Sequence, residues 1–368
     1  RKGSLIVKNT TIIGNSAIRP SVGYGGGGIH NGNGTLTLID SVVIDNLAAS
    51  GGGGIYNSGT MNIMNSTITG NITPIAGAGI FNGGNNIANL TIANSTIDKN
   101  SIVATSSCGI CGQGGGIYTQ NILNIKNSTI SGNLADVFSG LNGVGGISNN
   151  GLLSLTNSTV TGNFTDYGIK GISTFFFMET TFTNSLIDND CGGHGLYKTN
   201  GGNLESSGNT CGLVDPTDQV NILDPIIDLL ADNGGPTLTH ALLPGSPAIN
   251  MAQNVNCPNI DQRGAFRNDG VCDIGAFEFG ASFGFAISTS FPKAIKLNES
   301  ITLQLQVESG EAPYSWTIAE GALPPGLTLS DDGLLSGAPS DLGSFSFTMR
   351  VADQNGNIAE KSAIIDVV

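Results

Sequence analysis

The sequence predicts an all-β chain in two parts: a right-handed parallel β-solenoid with three short strands per coil, then an antiparallel β-sandwich. Three observations carry this expectation. The first is a repeat. Leu90–Asn100 reads LTIANSTIDKN, and the block recurs as LIVKNTTIIGN from Leu5, MNIMNSTITGN from Met61, LNIKNSTISGN from Leu123 and LSLTNSTVTGN from Leu153. A weaker copy starts at Leu36 and a degraded one ends at Asp190. The second is a glycine run closed by an apolar residue ahead of most copies, as in GGGGIH to His30, GGGGIY to Tyr56, GAGIF to Phe81 and GGGIY to Tyr118. The third is a change after Gly280, where the glycine and asparagine repeat stops and the strand patterns lengthen.

Each repeat yields three extended segments, G-G-I-Y, L-x-I and S-T-I-T-G-N. Apolar residues alternate in them, the period of a strand. None is long enough for a helix, and glycine and asparagine weaken one. The central Asn9, Asp40, Asn65, Asn94, Asn127, Asn157 and Asn184 lie 25 to 33 residues apart. Length variation confined to loops, with a constant strand set, is the signature of stacked coils. Coils rising about 4.8 Å each make seven or eight of them a rod on the order of 35 Å long. Ile29, Ile55, Ile80, Ile117 and Ile147 are expected to stack in one buried column, and Leu36, Met61, Leu90, Leu123 and Leu153 in another.

Asparagine has a physical role in such a fold. Asn15, Asn46, Asn71, Asn100, Asn133 and Asn163, with Asp190 closing the series, are expected to form a ladder along one corner. Each amide bonds the next along the axis. Asparagine also tolerates the left-handed backbone of a sharp corner, and glycine serves another corner where a Cβ does not fit. Ten asparagines begin N-x-S/T, but those at corners are ladder positions first. Asn89 and Asn298 are the freer glycosylation candidates.

Composition limits the function classes. Of 368 residues, 55 are glycine, 11% are charged and 6% aromatic, with a net charge of −14. An acidic surface argues against nucleic acid and against anionic membranes, which attract basic patches. No apolar run of about 18 residues exists to span a bilayer. RKGSLIV does not read as a signal peptide and is expected to enter a coil directly, as in a processed chain or a fragment.

Six cysteines form three sequence-local pairs, Cys108 with Cys111, Cys191 with Cys211 and Cys257 with Cys272. An even count with local pairing reads as disulfides and hence an extracellular setting. The Cys191–Cys211 loop contributes roughly 3 kcal/mol in the chain-entropy description. Cys108-Gly-Ile-Cys111 fits a redox-active pair or half a zinc site as well, although zinc needs a second pair nearby.

From Cys191 the repeat dissolves. Residues 191–280 are expected to be a last coil and a cap over the last core layer, stapled by Cys257–Cys272. Proline and glycine punctuate this segment every few residues, giving short strands and tight turns. Its motifs ADNGGPTLTHALLPGSPAIN, DQRG and CDIGAFE, together with the upstream GGIY…NSTITGN repeat, resemble the choice-of-anchor Q family. That resemblance covers about residues 1–280. It implies a secreted prokaryotic β-helix, with repeats in the style of polymorphic outer-membrane proteins, and supplies no catalytic residues. Residues 281–368 contain PYSWTIAEGALPPGLTLSDDGLLSGAPSDLGSFSFTMRVAD, which resembles the Putative Ig family. This implies a cadherin-like sandwich of the kind used as a surface spacer. Trp316 is expected in its core.

Solenoids of this type include polysaccharide lyases and glycosidases, so catalysis must be weighed. A glycosidase needs two carboxylates facing across a groove. Asp40, Asp45, Asp98, Asp188 and Asp190 in the coils, and Asp136 and Asp166 in turns, are better read as corner substitutes in solvent. The coils hold almost no arginine for a lyase base, His30 replaces a Tyr or Phe and reads as a rim residue, and no Ser-His-Asp order exists. Arg263 and Arg267 are expected to pair with Asp261, Asp273 or Glu278 within the cap rather than bind a ligand. Calcium at Asp331, Asp332 and Asp353 lacks the required spacing, so no cofactor is expected.

The expected function is therefore a non-enzymatic extracellular or cell-surface structural or adhesive protein. The first coil bears core residues Leu5, Val7 and Ile12 without a cap, so head-to-tail assembly with copies of itself is a further expectation. The alternatives are a carbohydrate-binding surface protein, using the exposed strand face and the loops Ala17–Tyr24, Ser101–Gln113 and Asp136–Gly143, and a polysaccharide-degrading enzyme. Clustered exposed aromatics favour binding; facing carboxylates favour the enzyme.

Overall fold

Most coils of the first part turn through four parallel strands, one more than the sequence predicts. The computed structural model describes residues 3–18, 25–84, 88–104, 111–137, 142–267 and 270–368. It divides into two units, Arg1–Ala281 and Ser282–Val368. In the first unit the L-x-I segments form sheet 1, the T-I-T segments sheet 2 and the G-I-Y segments sheet 4. The unforeseen sheet 3 is made of strands of two or three residues that follow the ladder asparagines, such as Leu47–Ala48 and Ile72–Thr73. Such strands are too short for an alternation pattern to be read. Among the described residues, sheets 1 to 4 hold eight, nine, six and seven strands, so six coils carry all four.

Register follows the repeat. Leu36, Met61, Leu90, Leu123 and Leu153 lie on neighbouring strands of sheet 1. Ile29, Ile55, Ile80, Ile117 and Ile147 do so in sheet 4. With the second apolar residue of each sheet 1 strand and the central Ile or Val of each sheet 2 strand, they fill one continuous lumen. Ile29 is only half-buried, and Leu5, a core position in the pattern, is 59% exposed.

The corners are backbone devices. Asn9, Asp40, Asn65, Asn94, Asn127, Asn157 and Asn184 all have φ between 44° and 50°. This left-handed conformation is one that asparagine and aspartate adopt most cheaply among residues with a Cβ. These residues turn the chain between sheets 1 and 2. Among the described residues, the contact of adjacent side chains in this column is Asn65 Nδ2 donating to Asp40 Oδ1. A second left-handed position precedes each ladder asparagine, filled by Gly70, Gly132 and Gly162 and elsewhere by Asp45 and Lys99. In the seventh coil that residue is deleted.

Of the segment expected to form the last coil and cap, residues 191–222 close the last core layer, and the stapled part from Asp224 lies elsewhere. The lumen ends against Tyr197, Leu213 and the Cys191–Cys211 disulfide, with Val220 beside them. The strand Gln219–Ile222 extends sheet 2 by one more parallel neighbour. From Asp224 the chain then folds back as a flap over the outer face of sheet 2. Its hydrogen bonds reach Asn184, Thr159, Thr129, Asn127, Thr96 and Asn94. Thr96, Thr129 and Thr159 are buried beneath it, while Thr11 and Ile13 of the first coil stay exposed. Leu186 and Leu204 replace threonine on that face, and Leu242, Ala248, Ile274 and Phe277 of the flap pack on them. Apolar residues on the outer face of the last coils are what direct the flap there.

The second unit is a sandwich with its own core. Ala294–Ile295, Ile358–Val367, Gly343–Ala352 and Ser315–Gly321 form a four-stranded sheet in that order. Ile301–Gln304, Leu334–Gly337 and Leu327–Leu329 form a three-stranded one. Trp316, Leu335, Phe347, Met349, Val351 and Ile365 fill the space within the unit.

Candidate functional site: the open face of sheet 1

Polar residues of the solenoid sort into those consumed by the fold and those left available. The asparagine ladder belongs to the first class. Asn71 donates from Nδ2 and from its backbone N to Asn100 Oδ1, at 2.9 and 3.1 Å, and Asn100 treats Asn133 in the same way. Each amide also donates to a carbonyl of the preceding coil, as Asn100 does to Ile68 O. The series runs from Asn15 through Asn46 to Asn163 and ends on Asn189, not on Asp190. The deletion in the seventh coil shifts the register by one, and Asp190 accepts from the backbone of Lys170 and Gly171 instead.

Two further ladders are visible only in three dimensions. Ser41, Ser66, Ser95, Ser128, Ser158 and Ser185 each donate to the carbonyl two residues back. Each hydroxyl also accepts from the backbone N of the preceding coil, as Ser95 does from Ser66. Asn31, Asn57 and Asn82 link through their amides and end on Thr119. The S of N-S-T and the residue after G-I-Y carried this signal in the sequence. Outside the lumen, His30, Tyr56, Phe81 and Tyr118 form a ring stack with centroids 4.9, 5.2 and 4.9 Å apart. His30 is its exposed end, as a rim residue.

The flap holds most of the buried charges. Arg263 pairs with Asp261 at 2.7 Å and lies over the Phe277 ring at 3.6 Å, and Arg267 pairs with Glu278. Burial pushes the Glu278 carboxyl up to about 7, against the downward pull of the Asp273 backbone and Arg267. Asp273 accepts from the Asn250 backbone at 2.6 Å and from Phe279. His240 bonds Ser131 Oγ and the Asp228 carbonyl, and burial lowers its pKa. These groups bind flap to flap and flap to solenoid; Asp261, Arg263, Asp273 and Glu278 are buried and His240 is half-buried.

The acidic candidates of the coils do not converge. Asp40 and Asp45 are exposed at corners, Asp136 at the end of the Leu134–Asp136 strand and Asp166 in a bend. Asp98 is buried under the flap, where burial raises its pKa, and Asp188 accepts from Thr161. Asp353 accepts from Asn357, chiefly through its side chain, which lowers its pKa. No group of three or more His, Cys, Asp or Glu among the described residues is arranged to hold a metal ion. Cys191–Cys211 and Cys257–Cys272 are disulfides. Cys111 is buried, and Cys108 lies outside the described residues, as do most of the three long loops. Asn89 and Asn298 are exposed.

The outer face of sheet 1 is open and polar, whereas that of sheet 3 exposes mainly apolar residues such as Leu47, Ile72 and Phe164. The middle column of sheet 1 reads Thr37, Asn62, Thr91, Asn124, Ser154, Thr181 and Lys198 on successive strands. Over the later coils a shallow depression of about 220 Å³ is lined by Ile122, Asn124, Leu152, Ser154, Glu179 and Thr181. Glu179 is the single acidic side chain among the described outward positions of this sheet, and it pairs with Lys198 at 2.6 Å. The turn entering the Glu179–Thr183 strand is Phe175-Phe176-Phe177-Met178, and all three rings are exposed. In a chain that is only 6% aromatic, three consecutive phenylalanines stand out, and the repeat pattern does not account for them.

Comparison with known proteins identifies the second unit only. Residues 285–368 match the family model described as Putative Ig domain. No curated protein matches the chain. Two solved structures from Bacteroides fragilis NCTC 9343 are similar over a small part: a putative alpha-galactosidase at 20% identity and a putative alpha-galactosidase/melibiase at 18%. Each match covers 23% of this chain and 18% of the other, with a TM-score of 0.20.

Proposed function

We propose that this chain is an extracellular, surface-displayed adhesive protein without catalytic activity. A disulfide-stapled solenoid serves as its binding rod and a β-sandwich as its spacer. The observation that carries the reading is the division of the polar groups. Hydroxyls and amides of three corners and of sheet 2 are consumed in ladders and under the flap, while sheet 1 presents a long regular face of side chains to solvent. Such a face suits contact with an extended partner. A hydrolytic role needs a second carboxylate opposite Glu179, and the described residues of the face offer none. The disulfides and the Ig-like unit support an oxidising, extracellular setting.

The experiment has two readouts. Intact cells producing the chain are labelled with an antibody to it, and the purified chain is incubated with acidic and neutral polysaccharides. Labelling without lysis and no release of reducing ends or unsaturated products are expected. Labelling only after lysis, or product release, overturns the reading.

A further inference from the structure

We propose that the last four coils of sheet 1, with the Phe175–Phe177 turn at their border, form a binding site for an extended, uncharged polysaccharide strand; this rests on the adhesive reading above. Phe177 is the starting point. Its ring is 97% exposed and its backbone has φ 65°. A left-handed conformation is unfavourable for a residue with a Cβ. A ring in solvent returns none of that through burial. Strain that the fold does not repay points to function.

The neighbouring ring is held in place. Phe176 is 59% exposed and stacks on His194, with centroids 4.5 Å apart and planes 15° from parallel. Phe177 lies 6.3 Å from Phe176 at 44°. The turn is closed by Met178 N donating to Phe175 O, and it is tied to the next coil by Leu196 N donating to Met178 O. Leu196, itself 52% exposed, and Leu152 sit on either side of Glu179 in the strand register. Rings and leucines together make an apolar ledge along one edge of the polar face.

The polar part repeats. Asn124, Ser154, Thr181 and Lys198 occupy equivalent positions on four adjacent strands, about 4.8 Å apart along the axis. Thr181 Oγ1 donates to Glu179 Oε1 at 3.2 Å, which orients the carboxylate. The charges of Glu179 and Lys198 neutralise each other, so the depression selects neither anion nor cation. A polyhydroxylated strand has what this surface lacks a partner for. Its pyranose rings present apolar C–H faces to aromatic ledges, and its equatorial hydroxyls project sideways as donors and acceptors. A site of mixed apolar platform and few polar groups is the general form of a small-ligand subsite, here repeated along a polymer. The flap, which shields sheet 2, leaves this sheet uncovered.

Affinity electrophoresis of the full chain in gels containing hydroxyethylcellulose, arabinoxylan or polygalacturonate tests the assignment. Retardation by at least one neutral polymer is expected. The apparent dissociation constant should rise tenfold or more in the F176A/F177A variant and stay unchanged in F164A, whose exposed ring lies on sheet 3. Phe177→Gly, which suits the left-handed backbone, is the second variant and should weaken binding without altering the melting temperature. The site is overturned by no retardation in either neutral polymer, by retardation in polygalacturonate alone, or by equal retardation of the variants. A concentration-dependent dimer that Phe177→Gly abolishes, with no polymer bound, assigns the ledge to a second copy and also overturns it. Loss of retardation with surface labelling intact removes the site and leaves the adhesive reading. Release of reducing ends does the reverse.

Discussion

At the scale of single residues, the ladder asparagines are worth more than their exposed counterparts because both ends of each amide are buried. Asn100→Ala leaves Asn71 N without its acceptor and removes the amide donor to Ile68 O, while Asn71 Nδ2 keeps Val43 O and Thr69 O. A buried unmet polar group costs about 1–3 kcal/mol, so a loss of about 2–3 kcal/mol is expected in urea unfolding. Asn15→Ala, at the exposed end of the same ladder, should lose under about 1 kcal/mol. Equal losses would mean the ladder contributes nothing cooperative. Glu278 gives a pH signature. Its folded pKa of about 7 lies above its ordinary 4.5. Protons therefore bind the folded state more tightly, and this stabilisation is complete below pH about 4.5 and is lost as pH rises through about 7. Glu278→Gln should flatten the part of the melting-temperature profile that falls between those values. His240 acts oppositely: its lowered pKa removes stability as pH falls through it.

At the scale of elements, the lumen and the flap are held by different forces and should fail separately. Ile92 stacks between Ile63 and Ile125, fully buried. Ile92→Asp places an unpaired charge in the lumen and should cost several kcal/mol, abolishing cooperative unfolding of the first unit in calorimetry. The flap is pinned instead by Gln262. Its Oε1 accepts from Thr129 Oγ1 at 2.7 Å, and its Nε2 donates to Thr96 Oγ1 and Thr237 Oγ1 at 2.9 Å. Gln262→Ala should open the flap by about 2 kcal/mol. In hydrogen exchange the flap amides then speed up roughly thirtyfold while those of sheet 1 do not change. Uniform acceleration of both would show the flap and coils to be one cooperative unit.

At the scale of the whole molecule, the two units carry separate reporters. All six cysteines precede Ala281, and the single tryptophan, Trp316, is 3% exposed in the second unit. Reduction removes the Cys191–Cys211 constraint, worth roughly 3 kcal/mol for a loop of that size. The circular-dichroism transition of the solenoid should move to lower denaturant under reduction while the tryptophan-fluorescence transition stays in place. A shift of both would reveal coupling between the units.

The sequence by itself determined the parallel solenoid, its lumen columns, the left-handed corners and the start of the second unit. These are local or strictly periodic properties: alternation fixes which residue faces inward, and a fixed period stacks like on like. It did not determine sheet 3, because two-residue strands carry no period. Nor did it show the serine ladder, since a hydroxyl that accepts from the adjacent coil looks locally like any turn serine. The flap's position was decided by tertiary structure alone. Leu186 and Leu204 on one outer face draw Leu242, Ile274 and Phe277 across more than thirty residues of chain, where local pattern cannot act. The same holds for the open face of sheet 1. Its threonines and asparagines read much like those of sheet 2, and only the course of the flap leaves one face free and buries the other.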